Sequence, residues 1–196
     1  SDLSFYANKH ITTGEGGVLL TNNKKIYQKI IELRNLSFGK KDRFNHSDLG
    51  WNYRFTNIQA ALGLSQIRRI KKIIKRKLEI GNIYYEALKD SENIFIQPKK
   101  KKYAHNIYWV FGVLLKGKLS GKKNLIQKKL FKNKIETRPF FWPMHKQEIF
   151  KKMGLFKGEK YPVAENLSKN GFYLPSGLGL KNTQIDYVIK ELKKII

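Results

Sequence analysis

From residue 106 onward, short runs rich in aromatic and β-branched residues alternate with segments whose apolar residues recur at helical spacing. That alternation limits the fold class more than any other feature of the chain. Residues 106–115 read as a buried strand. Residues 122–132, with Leu125, Ile126 and Leu130 inward, read as a helix, and 135–141 as a second strand followed by a bend over 142–145. A short helix is predicted over 163–169, a strand over 171–174 stopped by Pro175, and a final helix capped by Thr183 and reaching Ile195. Strand, helix, strand, helix, strand, helix predicts an α/β sandwich in which helices cover one face of a sheet.

Upstream, residues 11–21 open on a Gly-rich turn and continue into the apolar run Val18, Leu19 and Leu20, a predicted strand ended by Asn22-Asn23. Residues 24–36 carry Ile26, Ile30, Ile31 and Leu33 at helical spacing. The stretch 37–55 is polar, aromatic and irregular, and a loop of that length inside a domain tends to be functional. Thr56 is a predicted N-cap, and one or two long helices run from there to Leu88. Arg68, Arg69, Lys71, Lys72, Lys75 and Arg76 form their solvated polar face. Pro98 and Lys99 to Lys102 read as a turn or linker.

Composition removes several function classes. With 196 residues, 41% hydrophobic and 13% aromatic, the chain is no disordered basic tail. No apolar run approaches the roughly 18 residues of a membrane span, and no signal segment opens the chain, so a cytoplasmic protein without a membrane partner is expected. Zero Cys excludes disulfides, thiolate zinc sites and Cys nucleophiles, and no metal site is expected. The net charge of +25 attracts polyanions. The basic residues are mostly Lys accompanied by many Ile and Asn, which is what A- and T-rich coding DNA yields. Nucleic acid therefore ranks second to a solvated, Lys-rich background, and a basic polyanion-binding fragment remains the non-enzymatic alternative.

Against that background one Lys stands apart. Lys9 sits in Ser4-Phe5-Tyr6-Ala7-Asn8-Lys9-His10-Ile11-Thr12-Thr13-Gly14-Glu15-Gly16-Gly17, flanked by aromatic and apolar residues and followed by a Gly-rich turn. Desolvation there would favour the neutral amine that a Schiff base needs. On local chemistry alone, a surface Lys among many is the commoner reading.

The same string resembles the active-site Lys segment of the DegT family, nucleotide-sugar aminotransferases of PLP fold type I. A second block, Gly50-Trp51-Asn52-Tyr53-Arg54-Phe55-Thr56-Asn57-Ile58-Gln59-Ala60-Ala61, resembles that family's next signature. A third, Glu136-Thr137-Arg138-Pro139-Phe140-Phe141-Trp142-Pro143-Met144-His145, is similar to the perosamine synthase branch, and Leu174-Pro175-Ser176 to the family's terminal strand.

The resemblance implies a PLP-dependent α/β fold, truncated to the end of the large domain and the small C-terminal α/β sandwich domain. Residues 1–56 would be the remnant of the large PLP-binding domain, 57–97 the linking helices and 98–196 the small domain. Lys9 falls on the Lys that holds pyridoxal phosphate as a Schiff base and moves the proton, and Ser4 on the hydroxyl that bonds the cofactor phosphate. Asn52 falls on an Asn that reaches the phosphate of the partner subunit's cofactor, implying a homodimer with a shared site. Arg54 is a candidate for the amino donor's carboxylate, and Arg138 and His145 for a nucleotide diphosphate. Each of these three has an equally ordinary reading as an ion pair or core hydrogen bond. His10 is expected to be structural, Glu15 to orient the turn or, at least as readily, to be an ordinary satisfied turn carboxylate, and Trp51, Tyr53, Trp109 and Trp142 to pack.

The implied reaction is amino transfer, with glutamate as donor, to a nucleotide-linked keto-6-deoxy sugar, first a GDP-linked 4-keto sugar. A related dehydratase branch carries His where this chain has Lys9, which disfavours the dehydratase alternative. Ser1 is not Met and residues 1–9 read as the middle of a motif, so upstream sequence is expected. The family's acidic partner for the pyridine nitrogen, its ring-stacking aromatic and its phosphate-binding turn belong to that region. The 196 residues alone are therefore expected not to transaminate.

Overall fold

A computed structural model describes residues 1–39, 41–46 and 48–196. Lys40 and Ser47, within the loop expected over 37–55, lie outside the described residues. The chain divides into two compact units, Ser1–Ile73 and Ile74–Ile196.

In the first unit, β1 (Asp2–Ser4) pairs antiparallel with β2 (Gly17–Leu19), register Asp2↔Leu19 to Ser4↔Gly17. Helix α1 (Lys24–Arg34) is capped by Asn23, whose side chain accepts the N–H groups of Lys25 and Ile26 at 2.9 and 3.2 Å. Helix α2 (Asn57–Ile67) starts at the predicted Thr56, in a capping box with Gln59: Gln59 N–H donates to Thr56 Oγ1 at 3.2 Å, and Thr56 N–H to Gln59 Oε1 at 3.0 Å. Among the described residues of this unit no large apolar side chain is buried. Leu3, Leu19, Ile58, Leu62 and Ile67 are exposed. Two short strands and two helices with their apolar faces open bury too little to offset ordering entropy.

The second unit holds the core. Helix α3 (Ile70–Leu88), in which the division between the units falls, directs Ile80, Tyr84 and Leu88 inward at helical spacing. Four strands follow: β3 (Ile94–Ile96), the small hairpin β4 (Lys100–Lys101) and β5 (Ala104–His105), and β6 (Phe111–Leu115). Next come α4 (Lys123–Lys132), β7 (Arg138–Pro139), α5 (Glu148–Lys152), α6 (Pro162–Asn170), β8 (Gly171–Leu174) and α7 (Asn182–Lys193). The main sheet is four-stranded, order β3-β6-β8-β7, and antiparallel throughout. Its register pairs Phe111 with Leu174 and Val113 with Phe172, so period-2 alternation sets these four on one face. That face is buried with Ile126 and Leu130 of α4 and Ile185, Val188 and Leu192 of α7. On the other face, Phe140 lies where Gly112 and Gly171 leave room: a Cβ on Gly171 would come 2.1 Å from its ring. Among the described residues no helix is long and apolar enough to cross a membrane.

Several predicted elements are shorter or differently placed than their composition suggested. The strand expected over 106–115 begins only at Phe111, because Asn106 Oδ1 accepts the Tyr108 N–H at 2.8 Å and Tyr108 takes φ 49. The strand expected over 135–141 shrinks to Arg138–Pro139, since the Ile135 N–H closes the α4 terminus on Leu130 O and Pro139 has no N–H to donate. Thr183 lies inside α7; the N-cap is Lys181, whose N–H donates to Gln184 Oε1 at 2.9 Å. The turn or linker expected at Lys99–Lys102 contains the first strand of a hairpin.

The solvated face assigned to α3 also needs correction. Arg76 donates to Asn182 Oδ1 at 2.9 Å and to Leu180 O, and next to it Lys77 is buried. The Lys77 Nζ donates to Ser176 O at 2.6 Å, Trp109 O at 3.0 Å and Ser176 Oγ at 3.3 Å, all neutral acceptors. Burial lowers its pKa to about 8. Below that pH the folded and unfolded chains are both charged there, and the cost of burying the ammonium is carried in full. From about 8 up to the ordinary 10.5, the unfolded chain keeps a proton that the folded one releases, so stability rises with pH through this window. The difference in unfolding free energy between wild type and Lys77→Met, measured by urea titration from pH 7.5 to 10.5, is expected to change by roughly 2–3 kcal/mol in that direction. A pH-independent difference would refute a buried titrating amine.

Candidate active site

Lys9 lies in the connection between β1 and β2, residues 5–16. The ladder continues one step beyond the strands: Phe5 N–H donates to Gly16 O at 2.8 Å, and Phe5 O accepts the Thr13 N–H at 2.9 Å and the Thr12 hydroxyl at 3.1 Å. Within the loop the Lys9 N–H donates to Tyr6 O at 3.0 Å, closing a turn that leaves the Lys9 side chain half-buried. Gly14 and Gly16 take φ 80 and 135, and a Cβ on Gly16 would sit 2.2 Å from the Phe55 ring, which stacks against Phe5 at 6.1 Å. The Gly-rich string is thus required both by backbone conformation and by close approach.

One face of α2 grips this loop. The Gln66 amide makes two bonds to Thr12: Thr12 N–H donates to Oε1 at 3.0 Å, and Nε2 donates to Thr12 O at 2.6 Å. Gln59 Nε2 donates to Glu15 O at 3.1 Å, and the Thr13 hydroxyl donates to the same oxygen at 2.6 Å. Between them, Gly63 lets α2 approach the buried Thr13, whose methyl would lie 3.0 Å from an added Cβ. Sequence reasoning did not select Gln59, Gly63 and Gln66. Their signal was legible as i, i+4, i+7 spacing, two amides around a glycine on one helix face. In the turn Glu15 contributes its main-chain carbonyl, the acceptor for both Thr13 and Gln59.

Ser4 ends β1, exposed, and its Oγ accepts the Tyr6 N–H at 3.3 Å. Asn52 and Arg54 are brought together: Arg54 Nε donates to Asn52 Oδ1 at 2.9 Å and Nη1 to Asn35 Oδ1 at 3.2 Å. Their segment runs antiparallel to the end of α1, with Trp51 N–H on Leu33 O at 2.7 Å, Leu36 N–H on Trp51 O at 3.1 Å and Tyr53 N–H on Arg34 O at 3.0 Å. A Cβ on Gly50 would meet the Leu36 and Ser37 backbone at 2.4 Å.

Arg138 and His145 lie in the second unit, each with its own acidic partner. Arg138 Nη2 pairs with Glu136 at 2.8 Å, both side chains exposed. His145 Nε2 is 3.0 Å from Glu165 Oε1, and Lys146 Nζ is 2.7 Å from Glu165 Oε2. Hydrogen bonds from Lys146, then His145, then the Tyr161 N–H lower the Glu165 pKa to about 2. The His145 ring packs on Tyr161 at 4.9 Å. Trp51, Tyr53 and Trp142, expected to pack, are 47%, 71% and 60% exposed, Trp51 and Tyr53 stacking on each other. Such surfaces suit contact with another molecule better than core packing.

Residues 1–193 match the DegT/DnrJ/EryC1/StrS aminotransferase family. GDP-perosamine synthase of Escherichia coli O157:H7 is 34% identical over 195 residues, covering 99% of this chain and 51% of its own length. The GDP-perosamine synthase of Vibrio cholerae is 32% identical, with 98% of this chain and 52% of its own covered. Among solved structures, Helicobacter pylori PseC, an aminotransferase involved in the biosynthesis of pseudoaminic acid, aligns with a TM-score of 0.88 at 26% identity over 99% of this chain and 52% of its own. The chain spans about half the length of the curated relatives it matches.

Proposed function

The chain belongs to the DegT/DnrJ/EryC1/StrS aminotransferase family, and from that premise we propose that the protein carrying it transfers an amino group to a nucleotide-linked keto-6-deoxy sugar. The observation that carries the reading is the placement of Lys9: one amine in a loop held at both ends, on Phe5 and on Thr12. Pyridoxal phosphate is the cofactor of this family's aminotransferases, and the donor set fits it, an amine for its aldehyde at Lys9 and a hydroxyl for a phosphate oxygen at Ser4. When bound, it supplies a carbonyl that condenses with amines and a ring that spreads carbanion charge. Lys9 would hold it and, once released, move the proton at the sugar carbon that bears nitrogen. Ser4 would orient the phosphate. Asn52, held by Arg54, would serve a second subunit's site in a homodimer.

The names of the GDP-perosamine synthases among the relatives support a GDP-linked sugar; within that class our reading takes a 4-keto-6-deoxy sugar as substrate and glutamate as donor. Arg54 is the first candidate for the donor's carboxylate. Arg138 and His145 remain candidates for the nucleotide diphosphate, each at the cost of a carboxylate now paired to it. The test is incubation of the protein carrying this chain with pyridoxal phosphate, glutamate and a GDP-linked 4-keto-6-deoxyhexose. Mass spectrometry is expected to show gain of an amino group for the keto oxygen; net loss of one oxygen from the sugar, C–OH replaced by C–H with no nitrogen gained, would instead establish the dehydratase, whose amine-form cofactor is oxidised to the aldehyde as ammonia leaves. Residues 1–196 alone, which hold Ser4 and Lys9 on a unit in which no large apolar side chain is buried among the described residues, are expected to give no turnover under the same conditions.

A further inference from the structure

We propose that Gln66 is a positioning residue for Lys9: its side-chain amide takes the place of a neighbouring strand and fixes the loop on which Lys9 rides. The inference rests on the reading of Lys9 as the cofactor lysine. The regular pairing of β1 with β2 ends at Ser4↔Gly17, and Phe5 adds one more step. Thr12, where the loop returns, finds its next partner 54 residues away. An amide side chain presents a donor and an acceptor in one plane, as a peptide group does, so it can satisfy the N–H and C=O of a single residue together. Gln66 does this at 3.0 and 2.6 Å, which sets the rotation of the Thr12 backbone as well as its distance.

The amide's orientation follows from its partners. Nε2 also donates to Leu62 O at 3.3 Å, so the end that faces two carbonyls is the nitrogen and the end that faces the N–H is the oxygen. Only His10 and Ile11 separate Thr12 from Lys9, which limits slack to about 10 Å of chain. At the other end of the loop, the Lys9 N–H is tied to Tyr6 O. Helix α2, fixed by its capping box, is therefore the rigid platform from which the amine is aimed.

The test is Gln66→Glu in the protein that carries this chain. Glutamate keeps the length and the acceptor for Thr12 N–H but sets an anionic oxygen against Thr12 O; protonation restores a donor. The readout is the rate at which pyridoxal phosphate is trapped on Lys9 by borohydride, located by peptide mass spectrometry and expressed as a ratio to wild type at each pH. The ratio compares the two proteins at one pH, with the neighbouring basic groups Lys9, His10, Arg68 and Arg69 present in both. At pH 8 the variant is expected to be slower by about 10-fold or more, with the ratio recovering as pH falls toward the carboxyl range. Gln66→Met, of matching length without polar atoms, is expected to be slow at every pH without recovery, and it decides the matter if the Glu variant does not fold. Trapping at the wild-type rate by either folded variant at all pH values would overturn the positioning role alone. A wild type that carries no adduct on Lys9 would overturn this role together with the reading beneath it.

Discussion

Replacing Lys9 with alanine in the protein that carries this chain is expected to abolish both the borohydride-trapped pyridoxal phosphate and amino transfer, the latter by at least about 1,000-fold. Loss of a positioned acid–base group alone accounts for about that much, and loss of the covalent anchor adds to it. Lys9→Arg should fail equally. Arginine keeps the charge but does not release its proton in a protein, and so provides no nucleophilic nitrogen. That comparison separates Lys9 from the other members of a set of 40 basic residues, most of which serve as solvated charge and should tolerate Arg. Turnover within about ten-fold of wild type in either variant would remove Lys9 from the chemistry.

The largest stability effect is expected at Tyr84. Its ring is fully buried between α3 and the sheet, 5.0 Å from Phe111, and its hydroxyl donates to Pro175 O at 2.8 Å. Burial raises the phenol's pKa, which keeps it a neutral donor at any working pH. Tyr84→Ala removes the aromatic bulk and leaves a cavity, and is expected to cost about 3–5 kcal/mol. Tyr84→Phe keeps the ring and leaves Pro175 O unpaired, costing about 1–2 kcal/mol. Urea unfolding followed by tryptophan fluorescence measures both. Equal losses in the two variants would mean that the hydrogen bond, and not the packing, dominates at this position.

The fold was legible in the second unit wherever one residue type decided the local outcome. The strand 171–174 and the helices over 123–132 and 162–170 follow from apolar spacing and Pro punctuation. Misreadings came from side chains that compete with the main chain. Asn106 turns the backbone before β6 can begin, and Pro139 ends a ladder that apolar content alone would have extended. The small strand Ile94–Ile96 escaped notice because three residues are too few for a period, and its place is set by pairing with Phe111–Leu115. The class itself, a truncated α/β fold of the PLP type I kind, agrees with the likeness to aminotransferase structures over half their length.

At the candidate site, the motif exposed Lys9 and Ser4, but the amides that hold the loop were hidden by distance along the chain. Gln66 acquires meaning only once α2 is folded against Thr12. Lys77 was hidden in the opposite way. It stands among basic residues of identical appearance, and only the carbonyls of Trp109 and Ser176 that accept from its amine distinguish it.

The core of Ile74–Ile196 separates mutations that cost substance from those that cost reactivity. Damage in the second unit, where the core resides, should appear in cells as lower abundance, because fewer molecules stay folded and escape proteolysis. Removal of the Lys9 amine itself should leave abundance nearly unchanged and appear as catalytic silence. A library of variants of the protein that carries this chain, scored separately for protein level and product formation, would therefore show loss of substance at the core positions of the second unit and loss of reactivity without loss of substance at Lys9.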